Sequence, residues 1–183
     1  MLFKGIIEGW QYKDEYVIIG GHRDSWVNGA LDPISGTSAM MEISNVFKEM
    51  KYRPERTIIF ASWGSEEHGL MGSHEFVEEF YSELRERAVM YINADTIIKG
   101  NTHFTADSIP ILHDFIHDTT KMIPDHFQPG LTVYDTWASH QTDEQTGLPF
   151  IGEPKVKSDY APFIHMAGIP IIHVGCKSTS REK

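Results

Sequence analysis

Three short apolar runs recur in the first half of the chain: Tyr16-Val17-Ile18-Ile19, Thr57-Ile58-Ile59-Phe60 and Val89-Met90-Tyr91-Ile92. Each is rich in β-branched or aromatic residues and too short for a helix, so each predicts a strand. Between them the apolar spacing changes to three and four. Ala39, Ile43, Val46, Phe47 and Met50 predict a helix over Ser38–Lys51, with Pro54 beyond its end. Val77, Phe80 and Leu84 predict a second helix after Gly69, with Glu83 and Arg87 spaced i, i+4 on its wet side. Ile109, Leu112, Ile116 and Ile123 predict a third over Pro110–Met122. Residues 124–157 are rich in Pro, Gly, Thr, Asp and Gln and read as one long irregular loop, which in a compact domain is usually functional. Asp159–Ala167 predicts a short helix closed by Gly168, and Ile169–Val174 a strand that opens on a proline. Alternating strands and helices imply an α/β domain with a central mixed, mostly parallel sheet and helices on both faces.

The polar residues that interrupt this pattern fall just past the strands. His22-Arg23-Asp24 and then Asp32 follow the first, Glu66-Glu67 the second, and Asp95 the third. In open α/β sheets, ligands gather at the carboxyl ends of strands. One imidazole with several carboxylates suits zinc, and a carboxylate able to bridge two ions suits metal-assisted hydrolysis. Taken singly, each residue has a plainer explanation. An isolated His-x-Asp is a polar loop, Asp-Pro is a common turn, and a strand-terminal Asp is often a turn residue. Glu66-Glu67 is the sharpest signal, because it follows the apolar Phe60-Ala61-Ser62-Trp63. One of the pair can ligate metal while the other takes a proton from water. Gly20-Gly21 is expected to turn the backbone sharply and bring His22 to the sheet edge, with Asp24 orienting His22 or its loop.

Other candidates are weaker. His68, His74, His103, His113, His117, His126 and His140 are expected on the surface, His165 on a helix and His173 within a strand. Trp10, Trp26, Trp63 and Trp137 read as packing groups, although Trp26 and Trp137 fall in expected loops and could line a cleft.

Composition narrows the classes. The 183 residues suit one domain with a real core. A net charge of -10 argues against a nucleic-acid partner. A single cysteine, Cys176, excludes an internal disulfide framework. No apolar stretch approaches the ~20 residues of a membrane span, and the first five residues lack a signal-peptide core, so the chain reads as soluble.

Several of these runs together resemble the M28 metallopeptidase family. They are Gly20-Gly21-His22-Arg23-Asp24-Ser25-Trp26, Gly29-Ala30-Leu31-Asp32-Pro33-Ile34-Ser35-Gly36-Thr37, Thr57 through Glu67, and Tyr91-Ile92-Asn93-Ala94-Asp95. Within that family the chain resembles the glutamate carboxypeptidase II branch (N-acetylated alpha-linked acidic dipeptidases), and Ser158-Asp159-Tyr160-Ala161-Pro162-Phe163 is closer to its dipeptidase-like 1 members. The resemblance implies a three-layer α/β/α zinc-exopeptidase fold and two zinc ions. His22 and Asp95 would ligate one, Asp32 would bridge to the other, Glu67 would ligate the second, and Glu66 would be the general base. Asp24 would support the ligands. Trp26, Ser158, Asp159 and Tyr160 would border the cleft for a small peptide substrate. The Asp32-Pro33 bond is expected to be cis. Full-length relatives are expected to be homodimeric type II membrane proteins with an extracellular catalytic domain.

Two departures stand out. The family's further histidine ligand to the second zinc comes from a segment beyond the strand that here is Ile169–Val174, and the chain ends at Lys183. The chain therefore reads as a catalytic core without that ligand, without a closing C-terminal portion, and without the protease-associated and helical dimerisation domains. Acid-selective members also carry arginines after the last strand. Here that stretch is Gly175-Cys176-Lys177-Ser178-Thr179-Ser180-Arg181, and Lys155-Val156-Lys157-Ser158 replaces a glycine-serine-glycine turn, so acid selectivity is not expected. The rival readings are a non-catalytic binding or dimerisation module and a single-zinc acyltransferase resembling glutaminyl cyclase.

Overall fold

The computed structural model describes residues 3–178. Among them, eight strands form one sheet: β1 (Phe3–Ile7), β2 (Tyr12–His22), β3 (Arg56–Trp63), β4 (Ala88–Asn93), β5 (Ile98–Lys99), β6 (His103–Ser108), β7 (Ile151–Gly152) and β8 (Ile171–Lys177). Their order is β1-β3-β2-β4-β8-β6-β7, with β5 beside β8. The inner pairs β3-β2, β2-β4 and β4-β8 are parallel, whereas β1 and β6 run antiparallel to β3 and β8. The sheet is therefore mixed and mostly parallel, as the alternation of elements implies.

Neighbouring residues along a strand point to opposite faces, and both faces are covered. Ile18, Ile59, Trp63, Tyr91 and Ile171 pack with Val77 of α2 (Met71–Glu79), Leu84 of α3 (Tyr81–Arg87) and Phe163 of α6 (Tyr160–His165). Ile19 and Ile58, on the other face, pack with Met40 of α1 (Ile34–Met50). Farther along that face Ile172 meets Ile116 of α4 (His113–Lys121) and Trp137 of α5 (Val133–His140). Among the described residues, no helix is long and apolar enough to cross a membrane.

Several elements differ from the sequence expectation. Helix α1 starts at Ile34, a turn earlier than Ser38, because its buried first turn is built on Gly36, which carries no apolar side chain. Its inward side is Gly36 and Met40, so Ile43, Val46 and Met50 of the expected stripe lie exposed. The expected second helix divides at Phe80 into α2 and α3, with Glu83 and Arg87 paired at 3.9 Å. The third begins as a 3-10 turn, Pro110–Leu112, before α4. Residues 124–157 are not one irregular loop. They contain α5 and β7, and α5 opens on a capping box in which Thr132 and Asp135 satisfy each other's backbone amides. Trp137 is thereby fully buried on a helix and lines no cleft, and His117 is buried, bonded through Nε2 to the Pro149 carbonyl at 2.9 Å.

The glycines of the first motif serve close approach. Gly20 and Gly21 continue β2, and neither turns the chain. A Cβ on Gly21 would strike the Ala94 carbonyl, and one on Gly36 would strike the carbonyls of both Ala94 and Asp95. Helix α1, β2 and the end of β4 are thus pressed together around Asp95. Gly36→Ala is expected to cost about 1–3 kcal/mol of stability through overpacking. Gly5→Ala, whose Cβ would sit 4.0 Å from Phe60, should be near neutral. Denaturant midpoints of the two variants check this, and equal midpoints would remove the crowding argument.

Candidate metal centre

Strand β2 lies between β3 and β4, so the chain passes from one side of β2 to the other between its second and third motifs. Such a change of direction opens a crevice at the carboxyl ends of the strands. His22 ends β2 opposite Trp63 of β3, the Glu66-Glu67 loop follows β3, and Asp95 follows β4. Asp32 leads into α1 across a cis Asp32-Pro33 bond, as expected.

These side chains converge. One ligand atom each from His22, Glu66 and Asp95 lies within 4.8 Å of the others, and so do atoms from His22, Asp32 and Glu67. The His22 Nε2 atom is 3.0 Å from Asp95 Oδ1, 3.0 Å from Asp32 Oδ1 and 3.9 Å from Glu66 Oε2. Both glutamates of the pair therefore reach the cluster, including the one expected to stay free of metal. His22, Asp95 and Asp159 are buried, and half the Asp32 side chain is exposed, which leaves the cluster open on that side.

The surroundings fix the donors. His22 Nδ1 donates to the Asp24 carbonyl at 2.9 Å, which leaves Nε2 to face the carboxylates. The Asp24 carboxylate accepts the backbone amides of Glu66 and Glu67 at 3.1 and 3.2 Å. One residue of the β2 loop thus holds the β3 loop in place. Asp24→Ala frees both amides and is expected to lower zinc affinity about 10–100-fold, the usual cost of losing a group that orients ligands. A zinc titration checks this, and unchanged affinity would reduce Asp24 to a surface loop residue.

A buried chain of polar groups supports Asp95. Trp63 Nε1 donates to Tyr91 Oη at 2.9 Å, Tyr91 to Asn93 Oδ1 at 3.0 Å, and Asn93 Nδ2 to Ser158 Oγ at 2.9 Å. Ser158 Oγ donates to Asp95 Oδ2 at 2.7 Å. Asn93 Nδ2 also meets His173 Nδ1 at 3.0 Å. In the sequence Asn93 carries no mark as a site residue, and His173 is only a weaker candidate within a strand, although a polar residue amid the apolar positions of a strand is a usable signal. Asp159 is fully buried and accepts from Ser73 at 2.7 Å, so it stands beneath the site and does not border a cleft. Trp26 is exposed and packs on His68, with ring centroids 5.0 Å apart. Tyr160 is buried and accepts the Lys155 amide at 3.1 Å.

Crowding shapes the charges. Burial would lower the His22 pKa, but its bond and attraction to Asp95, with Glu66 and Asp159 nearby, raise it to about 9. Burial raises Glu66 to about 7; His22 opposes this, and Asp95, Glu67 and Asp32 add to it. Burial likewise raises Asp159 to about 7. For Asp95, burial is outweighed by the bonds from His22 and Ser158, which hold it below the ordinary carboxylate range. The His22 imidazole sits among carboxylates that favour a positive charge at this place, where a cation would fit. The donor set, one nitrogen and several carboxylate oxygens, suits zinc.

Comparison with known proteins places this geometry in a family. The description "Peptidase family M28" matches residues 5–183. Aminopeptidase NAALADL1 of Mus musculus is 48% identical over 172 residues, covering 90% of this chain and 23% of that protein. A glutamate carboxypeptidase 2 homolog of Caenorhabditis elegans is 39% identical over 183 residues, covering 95% of this chain and 24% of that protein. The chain thus spans about a quarter of the length of these relatives. Among solved structures, BSAP, a zinc aminopeptidase from Bacillus subtilis, superposes with a TM-score of 0.71 at 21% identity, over 100% of this chain and 41% of that one. A glutaminyl cyclase from an Acidobacteriales bacterium does so at 0.63 and 16%, over 94% of this chain and 57% of that one. At such identities the likeness establishes the fold. The family match covers residues 5–183, nearly the whole chain, so the chain belongs to peptidase family M28.

Proposed function

We propose that the chain is the core of a zinc-dependent exopeptidase that binds two zinc ions and hydrolyses short peptides, with Glu66 as general base. The observation that carries this reading is the pair of overlapping ligand groups, His22-Glu66-Asp95 and His22-Asp32-Glu67. His22 and Asp95 would hold one ion, Glu67 the second, and Asp32 would serve both. When bound, zinc polarises a carbonyl oxygen and makes water a stronger acid. The residues of the chain do the rest. His22 presents Nε2 because Asp24 holds Nδ1. Ser158 fixes the rotation of the Asp95 carboxylate. Glu66 sits against both, with its amide held by Asp24. There it draws the proton from the attacking water and returns it to the departing amine.

Zinc counting alongside hydrolysis of unblocked dipeptides tests the proposal. Two zincs per chain and chelator-sensitive hydrolysis support it. One zinc with cyclisation of an amino-terminal glutamine would replace it with an acyltransferase. No zinc and no turnover would leave a binding module.

A further inference from the structure

The loop that joins His22 to Asp32 carries an asparagine followed by a glycine, Asn28-Gly29. Asn28 is exposed, and among the described residues its side chain has no hydrogen-bond partner. The Gly29 amide nitrogen is equally free. The chain has three other asparagines, and each differs on that point. Val46, after Asn45, lies inside α1, where its amide belongs to the helix ladder. The Ala94 amide, after the buried Asn93, donates to the Gly20 carbonyl at 2.7 Å. The Thr102 amide, after Asn101, donates to the Lys177 carbonyl at 2.9 Å. Asn28 alone combines an exposed, rotatable carboxamide with an unengaged main-chain nitrogen, and Gly29 has no side chain to hinder their approach.

We propose that Asn28 is a site of spontaneous modification, converting to isoaspartate and loosening the loop that carries Asp32. The Gly29 nitrogen attacks Cγ of Asn28. The N–Cγ bond forms, the Cγ–Nδ2 bond breaks, and Nδ2 leaves as ammonia with the proton of the Gly29 amide. Water then opens the cyclic imide. Opening at Cγ gives aspartate on the ordinary main chain. Opening at the main-chain carbonyl gives isoaspartate, whose main chain runs through Cβ and Cγ. The net reaction takes up water and releases ammonia, and it needs no other reagent. Attack requires the amide without its proton, so the rate rises with pH. The added methylene falls where the loop has no slack. Gly29 holds a positive φ of 67°, and a Cβ on it would come within 2.8 Å of Ser25 Oγ and 3.2 Å of the Asp32 carbonyl. Its own carbonyl accepts the amide of Ile34, the first residue of α1, at 3.0 Å. Lengthening the chain at Asn28 drives Gly29 against Asp32 and the start of α1. The Asp32 carboxylate, 3.0 Å from His22 Nε2, moves with them. The consequence for zinc rests on the two-zinc reading, whereas the conversion and the loss of the Gly29-Ile34 bond do not.

The test ages the whole chain in mildly alkaline and in mildly acidic buffer and maps its peptides by mass spectrometry, with enzymatic methylation as a label for isoaspartate. Conversion is expected at Asn28, faster in the alkaline sample, while Asn45, Asn93 and Asn101 stay intact. The isoaspartate form, separated by ion exchange, is expected to bind zinc about tenfold more weakly, the lower end of the usual loss when ligand orientation is disturbed. Its Ile34 amide should exchange hydrogen about tenfold faster by NMR, as a locally opened bond does. That exchange is read without zinc, so a fresh chain that takes up no zinc would remove the two-zinc reading and leave the Ile34 contrast to decide. Asn28→Gln, whose longer side chain cyclises far more slowly, should keep both values on ageing. Fresh Asn28→Asp, which adds the charge without the methylene, should match the fresh parent. The proposal fails if Asn28 stays intact, if all four asparagines convert alike, or if the isoaspartate form keeps the Ile34 exchange of the fresh chain. Faster exchange with unchanged zinc affinity would confine the effect to α1 and overturn the link to Asp32. Fresh Asn28→Asp behaving like the isoaspartate form would make charge the cause and overturn the lengthening argument.

Discussion

Replacing Glu66 with Gln is expected to stop peptide hydrolysis and leave zinc content unchanged. The substitution keeps the size of the side chain and its hydrogen bonds but removes the atom that accepts the proton. General acid-base catalysis typically contributes about 10²–10⁴-fold, and the loss should be at least that large. Glu67→Gln should instead lower zinc content, because Glu67 groups with His22 and Asp32 at one ligand position. The contrast matters because Glu66 also lies within reach of His22 and Asp95. Metal analysis and turnover on the same preparations separate the roles. If Glu66→Gln lost zinc and Glu67→Gln kept it, the base and ligand assignments would be exchanged.

Zinc should stabilise the chain more in mildly alkaline than in mildly acidic solution. In the metal-free protein the His22 pKa is raised from 6.5 to about 9. Its contribution to stability is fully present below 6.5 and is lost as pH rises through about 9. Glu66 and Asp159, raised to about 7, act with the same sign, since their folded forms hold protons that the unfolded chain has released. The metal-free protein is therefore expected to weaken steadily from weakly acidic to alkaline pH. The proposed ligation by Nε2 requires that atom without its proton, so stabilisation by zinc is expected to grow over that range. At about a thousand times its dissociation constant, a bound ion adds ~4 kcal/mol, and at ~2–4 °C per kcal/mol that raises Tm by roughly 8–16 °C. Calorimetry at about pH 6 and about pH 8.5, with and without zinc, reads this directly. An equal rise at both values would show that His22 Nε2 is not the metal-binding atom.

The candidate metal cluster is legible in the sequence for a physical reason. Inner strands of a parallel sheet are buried on both faces, so they appear as unbroken apolar runs, and the residues that break them stand out. His22, Glu66-Glu67 and Asp95 stand out in this way. Contacts between distant segments left no such mark. Ser158 reaches Asp95 across 63 residues, and nothing in the spacing of either announces it. Helix α5 was obscured by its Pro- and Gly-rich neighbours, although Thr132 and Asp135 had the spacing of a capping box. Gly20 and Gly21 suggest a turn in the sequence because turns are where glycine is usually needed, whereas here the Tyr91 and Trp63 side chains press against Gly20 and the Ala94 carbonyl against Gly21. The pairing of Lys99 with Lys177 is likewise a product of topology, since they lie 78 positions apart and meet only in the folded sheet.

The parallel register that sets His22 opposite Trp63 and Gly20 opposite Asn93 has a consequence for how the molecule assembles. Side chains alternate along a strand, so a slip of a single residue in β2 would turn the imidazole to the opposite face. The donor atoms meet only when β2, β3 and β4 have docked in one alignment. Zinc capture during refolding would then act as a proofreading signal. Chains that fold with misaligned strands would stay metal-free, and the fraction that takes up the ion would measure how much of a preparation has paired its strands correctly.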